Sequence, residues 1–532
     1  MRRGCSLGLV IAFLAGGVGI GAGPASSPLS ESERALTEKV DAHLARAWAE
    51  AGVEPTQAAD DAEFLRRVWL DVAGKIPTAA EARAFLDDPT PDKRARLVDN
   101  LLRSNAATNH AVNTWRNLLI PEAASNTVAR VLAPDFDVWL RARLIGGVGL
   151  DVLARDLFST PLDGRGPFTS QPSSAKSEAT PLAYYAAKGY RPEDLAASTA
   201  RQFLGVRIEC AQCHNHPFST WKRDEFWSLA AAFAGLQQPA QPNGGISLNA
   251  REDRSKRELE IPGTSRKVSA RFPDGTEPAT SKDASARQAL AKWMTSPDNP
   301  YFAKAAVNRI WSQLFGIGLV DPVDDFGDAN PPSHPELLED LAAWFISSGY
   351  DRQALIRALT ATRAYGLSSD VEHARPADPR LFARGPVRGL TSEQFYDSLA
   401  QAVGMPPELT ANPRAVVPNG PRAALLEKFA MGDDRPTEHQ TSIPQALALM
   451  NGAFVAGATD LVQGETLGAV ADAPFLDDRG RVETLFLAAL SRRPRPEESA
   501  RLVAYVASHG SRLALADVFW ALLNSAEFKL NH

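Results

Sequence analysis

The sequence predicts a mainly α-helical chain in which two helical domains are joined by a small β-containing connector. Three observations carry this expectation. Apolar residues recur at intervals of three and four along most of the chain, several helix starts can be assigned to named capping residues, and a long stretch rich in Gly, Pro and Asn interrupts the pattern with strand-like alternation. With 532 residues, 44% of them hydrophobic, the chain can bury a large core and has the length of two or more domains.

The helix starts have identifiable mechanisms. In "IPTAAEARAFL", Thr78 is the expected N-cap and Glu81 completes a capping box, which satisfies two free amides of the first turn. "SHPELLEDLAAWF" offers the same device through Ser333 and Glu336, and "LTSEQFYDSLA" through Thr391 and Gln394. "TPDKRARLVDNLL" and "NPYFAKAAVNRIWSQLF" supply Thr90 and Asn299 as caps, with proline at the first helical position where its missing N–H costs nothing.

The interruption runs from about 237 to 280, and within it "RELEIPGTSRKVSARFPDG" alternates and turns as short strands do. The expected divisions are therefore a helical domain at 29–236, a connector at 237–282 and a second helical domain at 283–532. Two proline-rich stretches, 375–388 and 412–422, read as loops. "GKIPTAAEARAFL" and "RRPRPEESARLVAYV" both set proline ahead of a helix start containing Glu, Ala and Arg, which reads as two helices begun alike rather than as a repeat.

The first residues, "MRRGCSLGLVIAFLAGGVGIGAGPASS", combine a basic pair, an apolar run over 7–15 and small residues up to Ala22 or Ala25. This is the pattern of a secretory signal over 1–25, so the expectation is an exported protein, periplasmic or at the cell surface. The apolar run is shorter than the ~20 residues of a spanning helix, and no later stretch could cross a bilayer. Charged residues make up 23% of the chain, are mixed in sign and leave a net charge of −6, so neither a disordered polyanion nor a nucleic-acid-binding surface is indicated.

Loss of the signal would take Cys5 with it and leave Cys210 and Cys213 as the cysteines of the exported chain. They stand in "IECAQCHNHPF", followed by His214 and His216. Three cysteines and nine histidines in 532 positions predict on the order of 10⁻⁴ to 10⁻³ occurrences of C-x-x-C-H, so the spacing needs a reason. Attachment of haem c supplies one: two thiols three residues apart reach the two vinyl groups of one porphyrin, and the next imidazole meets the iron. Cys210 and Cys213 would then form thioethers and His214 would be the proximal ligand. "RPEDLAASTARQFLGV" is expected to lead in as a helix, Pro217 prevents a long helix leading out, and Trp221, Phe226 and Trp227 could cover an apolar cofactor or pack in the core.

No distal ligand stands out. His216 is too near His214 to reach the opposite face, Met294 lies on a predicted helix, and Met405, Met431, Met450, His334 and His439 have no better support. A five-coordinate or water-ligated iron stays open. Two other chemistries fit the same residues: zinc held by Cys210, Cys213, His214 and His216, or a plain disulfide between the two cysteines with no cofactor.

At "RQFLGVRIECAQCHNHPFSTWKRDEFWSLAAAFAG" the chain resembles the planctomycete cytochrome-C-like domain of the second type. The stretch from "NPYFAKAAVNRIWSQLFGIGLVDPVDDFGD" to "LTATRAYGLSS" resembles the planctomycete-specific domain, PSD, that follows it in such proteins. "FLRRVWLDVAGKIPTAAEARAFLDD", "LTSEQFYDSLAQAVG", "TSIPQALALMNGAFV" and "LLNSAEFKLNH" agree with this, so the resemblance covers nearly all of the chain. It implies an exported protein of two domains of unknown function, with Cys210, Cys213 and His214 as attachment residues and no catalytic residue in the second half. Relatives often carry a separate cytochrome domain ahead of this region, and its absence here implies that any electron partner is another extracytoplasmic protein.

Other motifs carry less. Asp321, Asp324, Asp325 and Asp328 crowd "VDPVDDFGD", a spacing that matches no calcium loop and suits turns and caps. Ser173-x-x-Lys176 lacks the partner motifs of a penicillin-binding enzyme, and Arg309, Arg363 and Tyr365 read as surface ion pairs or packing. The sequence thus points to an exported redox or electron-transfer component carrying haem c, with a haem enzyme as a variant. A non-haem binding or scaffold protein, stapled by a disulfide or zinc, is the alternative.

Overall fold

The computed structural model describes residues 29–162, 179–217, 219–237, 250–278, 284–370, 378–405 and 464–532, with isolated positions 422, 426 and 457. Its periodic segments are helices, and the architecture is mainly α. Ahead of the connector come α1 (Glu31–Ala51), α2 (Asp61–Val68), α3 (Ala79–Asp87), α4 (Lys93–Leu102), α5 (Asn105–Leu119), α6 (Thr127–Ile145), α7 (Leu150–Ser159), α8 (Leu182–Ala187), α9 (Pro192–Thr199) and α10 (Arg223–Ala230). After it come α11 (Ala286–Met294), α12 (Phe302–Phe315), α13 (Pro335–Ser347), α14 (Arg352–Thr360) and α15 (Ser392–Val403). The chain closes with α16 (Glu465–Asp472), α17 (Asp478–Leu490), α18 (Pro496–His509), α19 (Ser511–Asn524) and α20 (Ala526–Lys529).

Strands are short and antiparallel: β1 (Leu236–Gln237) pairs with β2 (Arg251–Glu252), β3 (Glu258–Glu260) with β4 (Lys267–Ser269), and β5 (Arg388–Gly389) with β6 (Leu530–Asn531). The alternating run in the connector is thus a hairpin, with Leu259 opposite Val268.

Both the Thr78–Glu81 and Thr391–Gln394 capping boxes form. The expected Ser333–Glu336 box does not, because α13 begins at Pro335; the Ser333 hydroxyl instead donates to the Leu319 carbonyl and Arg46 takes the Glu336 carboxylate. Nor does Thr90 cap α4, which starts at Lys93; its N–H and hydroxyl both bond to Asp88. Asn299 does accept the amides of Tyr301 and Phe302, so it satisfies the first turn although the regular helix starts at Phe302.

One apolar core gathers residues from Leu36 to Ala383, with Leu487 joining it, and a second gathers residues from Leu390 to Phe528, with Leu70 and Ile76 joining the latter. The larger core does not divide at the connector. Helix α7 packs on α11, and α1 packs on α13 and α14.

A buried polar group joins these cores. Arg66 and Arg67 sit on α2 with almost no exposure, 1% and 0%. The Arg66 guanidinium donates to the carbonyls of Ala489, Glu527, Phe528 and Leu530. Arg67 donates to the carbonyls of Tyr365 and Leu367 and to the Glu63 carboxylate at 2.6 Å. A π turn, Trp69–Ala73, extends α2 and carries Asp71, which accepts from the Tyr365 hydroxyl at 2.8 Å, from Asn531 at 2.6 Å and from Arg388. Of the two readings of Tyr365, packing holds: its ring is buried and its hydroxyl is committed to Asp71.

The π turn ends at Gly74, whose φ of +70° suits glycine, and a Cβ there would stand 2.4 Å from the Nδ1 of His110. Burial, aided by the Arg352 and Arg388 charges, pushes the His110 imidazole down from 6.5 to about 4.

Two outcomes are expected. Arg66→Met should cost about 3–5 kcal/mol in denaturant unfolding, because it strips four carbonyls, those of Ala489 and Phe528 buried, of a shared donor, and Arg66→Lys should restore only part of this. As pH falls, the unfolded chain takes up the His110 proton first, so the stability that the neutral ring contributes is complete above about 6.5 and is lost progressively towards about 4. His110→Asn should remove about 3 kcal/mol of that loss, read from denaturant midpoints across the window.

Candidate functional site

The segment that carries the cysteines is built from the end of α9. A second π turn, Ala200–Leu204, extends that helix and closes at Gly205, with φ +70°. A Cβ at Gly205 would come within 2.7 Å of the Phe326 ring, and the Phe326 amide donates to the Gly205 carbonyl at 2.8 Å, so the chain turns here against the 319–330 loop. Val206, Ile208 and Ala211 then point into the core. The intervening 3₁₀ turn, Glu209–Gln212, thereby turns Cys210, and with it Cys213 and His214, to the surface.

Both cysteines are free thiols and exposed. The exposed His214 ring bonds through Nδ1 to the Asn215 carbonyl at 2.8 Å. Asn215 in turn accepts the Arg223 amide through Oδ1, and the His216 amide donates to the Trp221 carbonyl at 2.8 Å, which closes the loop into α10. Trp227 Nε1 donates to the Gln212 carbonyl at 3.0 Å, and Arg223 joins the Gln212 and Pro262 carbonyls, tying the loop to the connector hairpin.

The geometry decides among several of the readings that the sequence left open. Phe226 and Trp227 are core residues, packed edge to face at 5.5 Å, so of the three aromatics only Trp221 keeps part of its surface beside the loop. Met294 is wholly buried among apolar neighbours and Met405 packs against the second core. His334 bonds to Ser333 and lies against Phe382. Met431, Met450 and His439 lie outside the described residues, as do Ser173 and Lys176. Among the described residues no three His, Cys, Asp or Glu side chains are gathered as metal ligands, and Cys210, Cys213, His214 and His216 form no such group.

The acidic loop, read from the sequence as turns and caps, also supplies a counter-charge. Asp324 is 6% exposed and its carboxylate holds both Arg201 and Arg207, the latter through Nε at 3.0 Å and Nη2 at 2.7 Å. Burial alone would raise this carboxyl, but the two guanidinium groups outweigh it and keep it below the usual range. Arg201 and Arg207 flank the Gly205 turn, so one carboxylate fixes both sides of the approach to Cys210. Behind it the fully buried Asn308 donates to the carbonyls of Val320 and Val323 and accepts the Val320 amide, which shapes the loop. Arg309 donates to the Arg201 and Gln202 carbonyls within the π turn, which ties α12 to the approach to the cysteine loop. Periodicity could not reveal these partners, although the polar pair inside the apolar run "AAVNRIW" is a visible irregularity.

Residues 39–238 match the family model PSCyt2 and residues 286–428 match PSD1, each described as a protein of unknown function, DUF1549 and DUF1553 respectively. The chain carries PSCyt2 followed by PSD1. No curated protein and no solved structure matches it. The cysteine loop lies in PSCyt2, whereas Asp324, Asn308 and Arg309 belong to PSD1. The clamp on the loop is therefore an interaction between the two domains. Asp324→Asn is expected to destabilise the chain by about 2 kcal/mol and to speed amide exchange across 205–216 while leaving the helices of the second core protected, as hydrogen-exchange mass spectrometry would show.

Proposed function

We propose that the PSCyt2 region carries haem c on Cys210 and Cys213, with His214 as the proximal ligand, and that the protein is an exported redox or electron-transfer component. The observation that supports this best is the combination of two free, exposed thiols with an outward imidazole on one short turn. The Nδ1 of His214 is occupied by the Asn215 carbonyl, which orients the ring and leaves Nε2 for iron, an arrangement typical of metal-ligating histidine. Each thiol would add across one vinyl C=C, its sulfur to one carbon and its hydrogen to the other, so attachment needs reduced sulfurs and consumes no oxidant.

Haem bound here would supply a one-electron couple. The protein's part is to hold the turn: Asp324, Arg201 and Arg207 brace its entry, and Arg223 and Trp227 fix the Gln212 carbonyl between the cysteines. Met294 is withdrawn into the core and is not available as a distal ligand. Export follows from the basic pair and apolar run at the start of the sequence, and the electron partner is another extracytoplasmic protein. The described residues include no helix long and apolar enough to cross a membrane.

The test is production in a host with cytochrome c maturation, followed by a peroxidase-stained denaturing gel and a pyridine haemochrome spectrum. A covalent haem band is expected from the unsubstituted chain and none from the Cys210→Ser, Cys213→Ser double variant; His214→Ala should alter the absorption spectrum. An unstained band of unmodified mass, or one lighter by two hydrogens from a Cys210–Cys213 disulfide, overturns the proposal in favour of a non-haem binding or scaffold protein.

A further inference from the structure

A cleft of about 680 Å³ opens between α1, in PSCyt2, and the start of α13 with the 378–381 segment, both in PSD1. It has the size of a site for a small organic molecule. Its floor is apolar, from Ala47, Ala51, Pro335, Leu337 and Leu381, its polar groups come from both domains, and no residue of the cysteine loop lines it.

Two histidines set the chemistry. The Ser333 hydroxyl gives its hydrogen to the Leu319 carbonyl, so Ser333 Oγ accepts from the His334 ring, 3.1 Å away. The His334 proton is therefore on Nδ1, and Nε2 keeps a lone pair that no partner takes among the described residues and that solvent can reach. Burial and the neighbouring His43 lower the proton affinity of this ring, so it is neutral at neutral pH. His43 is held in the other tautomer: Arg46 Nη2 donates to its Nδ1 at 3.2 Å, and its Nε2–H goes to Asp340 at 2.9 Å.

The charges around these rings are matched. Arg46 meets Glu336 at 2.5 Å and Arg380 meets Asp378 at 2.7 Å, while Glu50 adds one exposed carboxylate near Arg46. An anion would meet a carboxylate beside each guanidinium, and a cation would meet a guanidinium beside each paired carboxylate. Both pairs face solvent and keep N–H groups and lone pairs to spare. Such a lining suits an uncharged ligand whose polar groups each donate and accept. Hydroxyl groups do this, and vicinal hydroxyls on a ring fit the forked ends of carboxylate and guanidinium, which leaves the C–H faces of the ring for the apolar floor.

We propose that this cleft binds a neutral saccharide, a mono- or disaccharide unit, with His334 Nε2 accepting from one hydroxyl and the Arg46–Glu336 and Arg380–Asp378 pairs bridging others. The ligand is then held jointly by PSCyt2 and PSD1. The proposal does not depend on the haem reading.

The test is saturation-transfer difference NMR followed by calorimetry on the full chain, with glucose, galactose, mannose, xylose, cellobiose, maltose and lactose as probes. Saturable millimolar binding of at least one is expected, weakened about tenfold or more by His334→Ala and by Arg380→Ala. Arg380 is exposed, so its variant decides the matter should His334→Ala not fold. The proposal is overturned by no binding of any probe, by binding that either folded variant leaves intact, or by an affinity about tenfold higher for glucuronate, glucosamine or a capped alanine tripeptide than for the neutral sugars.

Discussion

Burying two adjacent guanidinium groups is tolerable only if nearly every N–H finds an acceptor, and this requirement organises the molecule. Arg66 and Arg67 lie next to each other on one short helix, yet their main-chain carbonyl acceptors belong to segments about 300 to 464 positions away in the chain. Neither can be desolvated until the tail around Leu530 and the turn around Tyr365 have arrived. Helix α2 is therefore the meeting point of three distant stretches, and Asp71, one turn further on, completes the arrangement by matching Arg388 and the Tyr365 hydroxyl. Contacts of such long range carry a large closure entropy, which the two apolar cores on either side must offset.

The helices were legible in the sequence because amphipathic spacing and capping chemistry are local. Thr78 and Thr391 act as read, since each sits directly before a helix with its Glu or Gln partner in reach. Ser333 and Thr90 fail for the same kind of reason: a nearby acceptor, the Leu319 carbonyl or Asp88, competes for the hydroxyl, and the helix begins later. Arg66, Arg67 and Asp71 give no local signal, since a charged residue in a helix looks the same whether it faces solvent or a remote carbonyl. The core boundary is hidden likewise. The Gly- and Pro-rich connector marks an irregular stretch of backbone, but the apolar faces on both sides of it pack together.

For the site, the C-x-x-C-H spacing stood out because cysteine is scarce, and the structure presents those side chains outward on one turn. Its supports were invisible. Phe226 and Trp227, which follow the motif, serve the core, and the acids read as turn and cap residues include the counter-charge for Arg201 and Arg207. Chemistry-bearing residues announce themselves by type and spacing, whereas the groups that hold them are selected by tertiary proximity.

The clamp of Asp324 on Arg201 and Arg207 bears on how such a chain could be shuffled between genes. A recombination break in the connector would strip two cations of their shared anion and lay bare the faces on which α7 meets α11 and α1 meets α13. Transplanted alone, the first module would inherit the cysteine motif without the brace that shapes its approach. The smallest heritable unit with an intact loop is the pair.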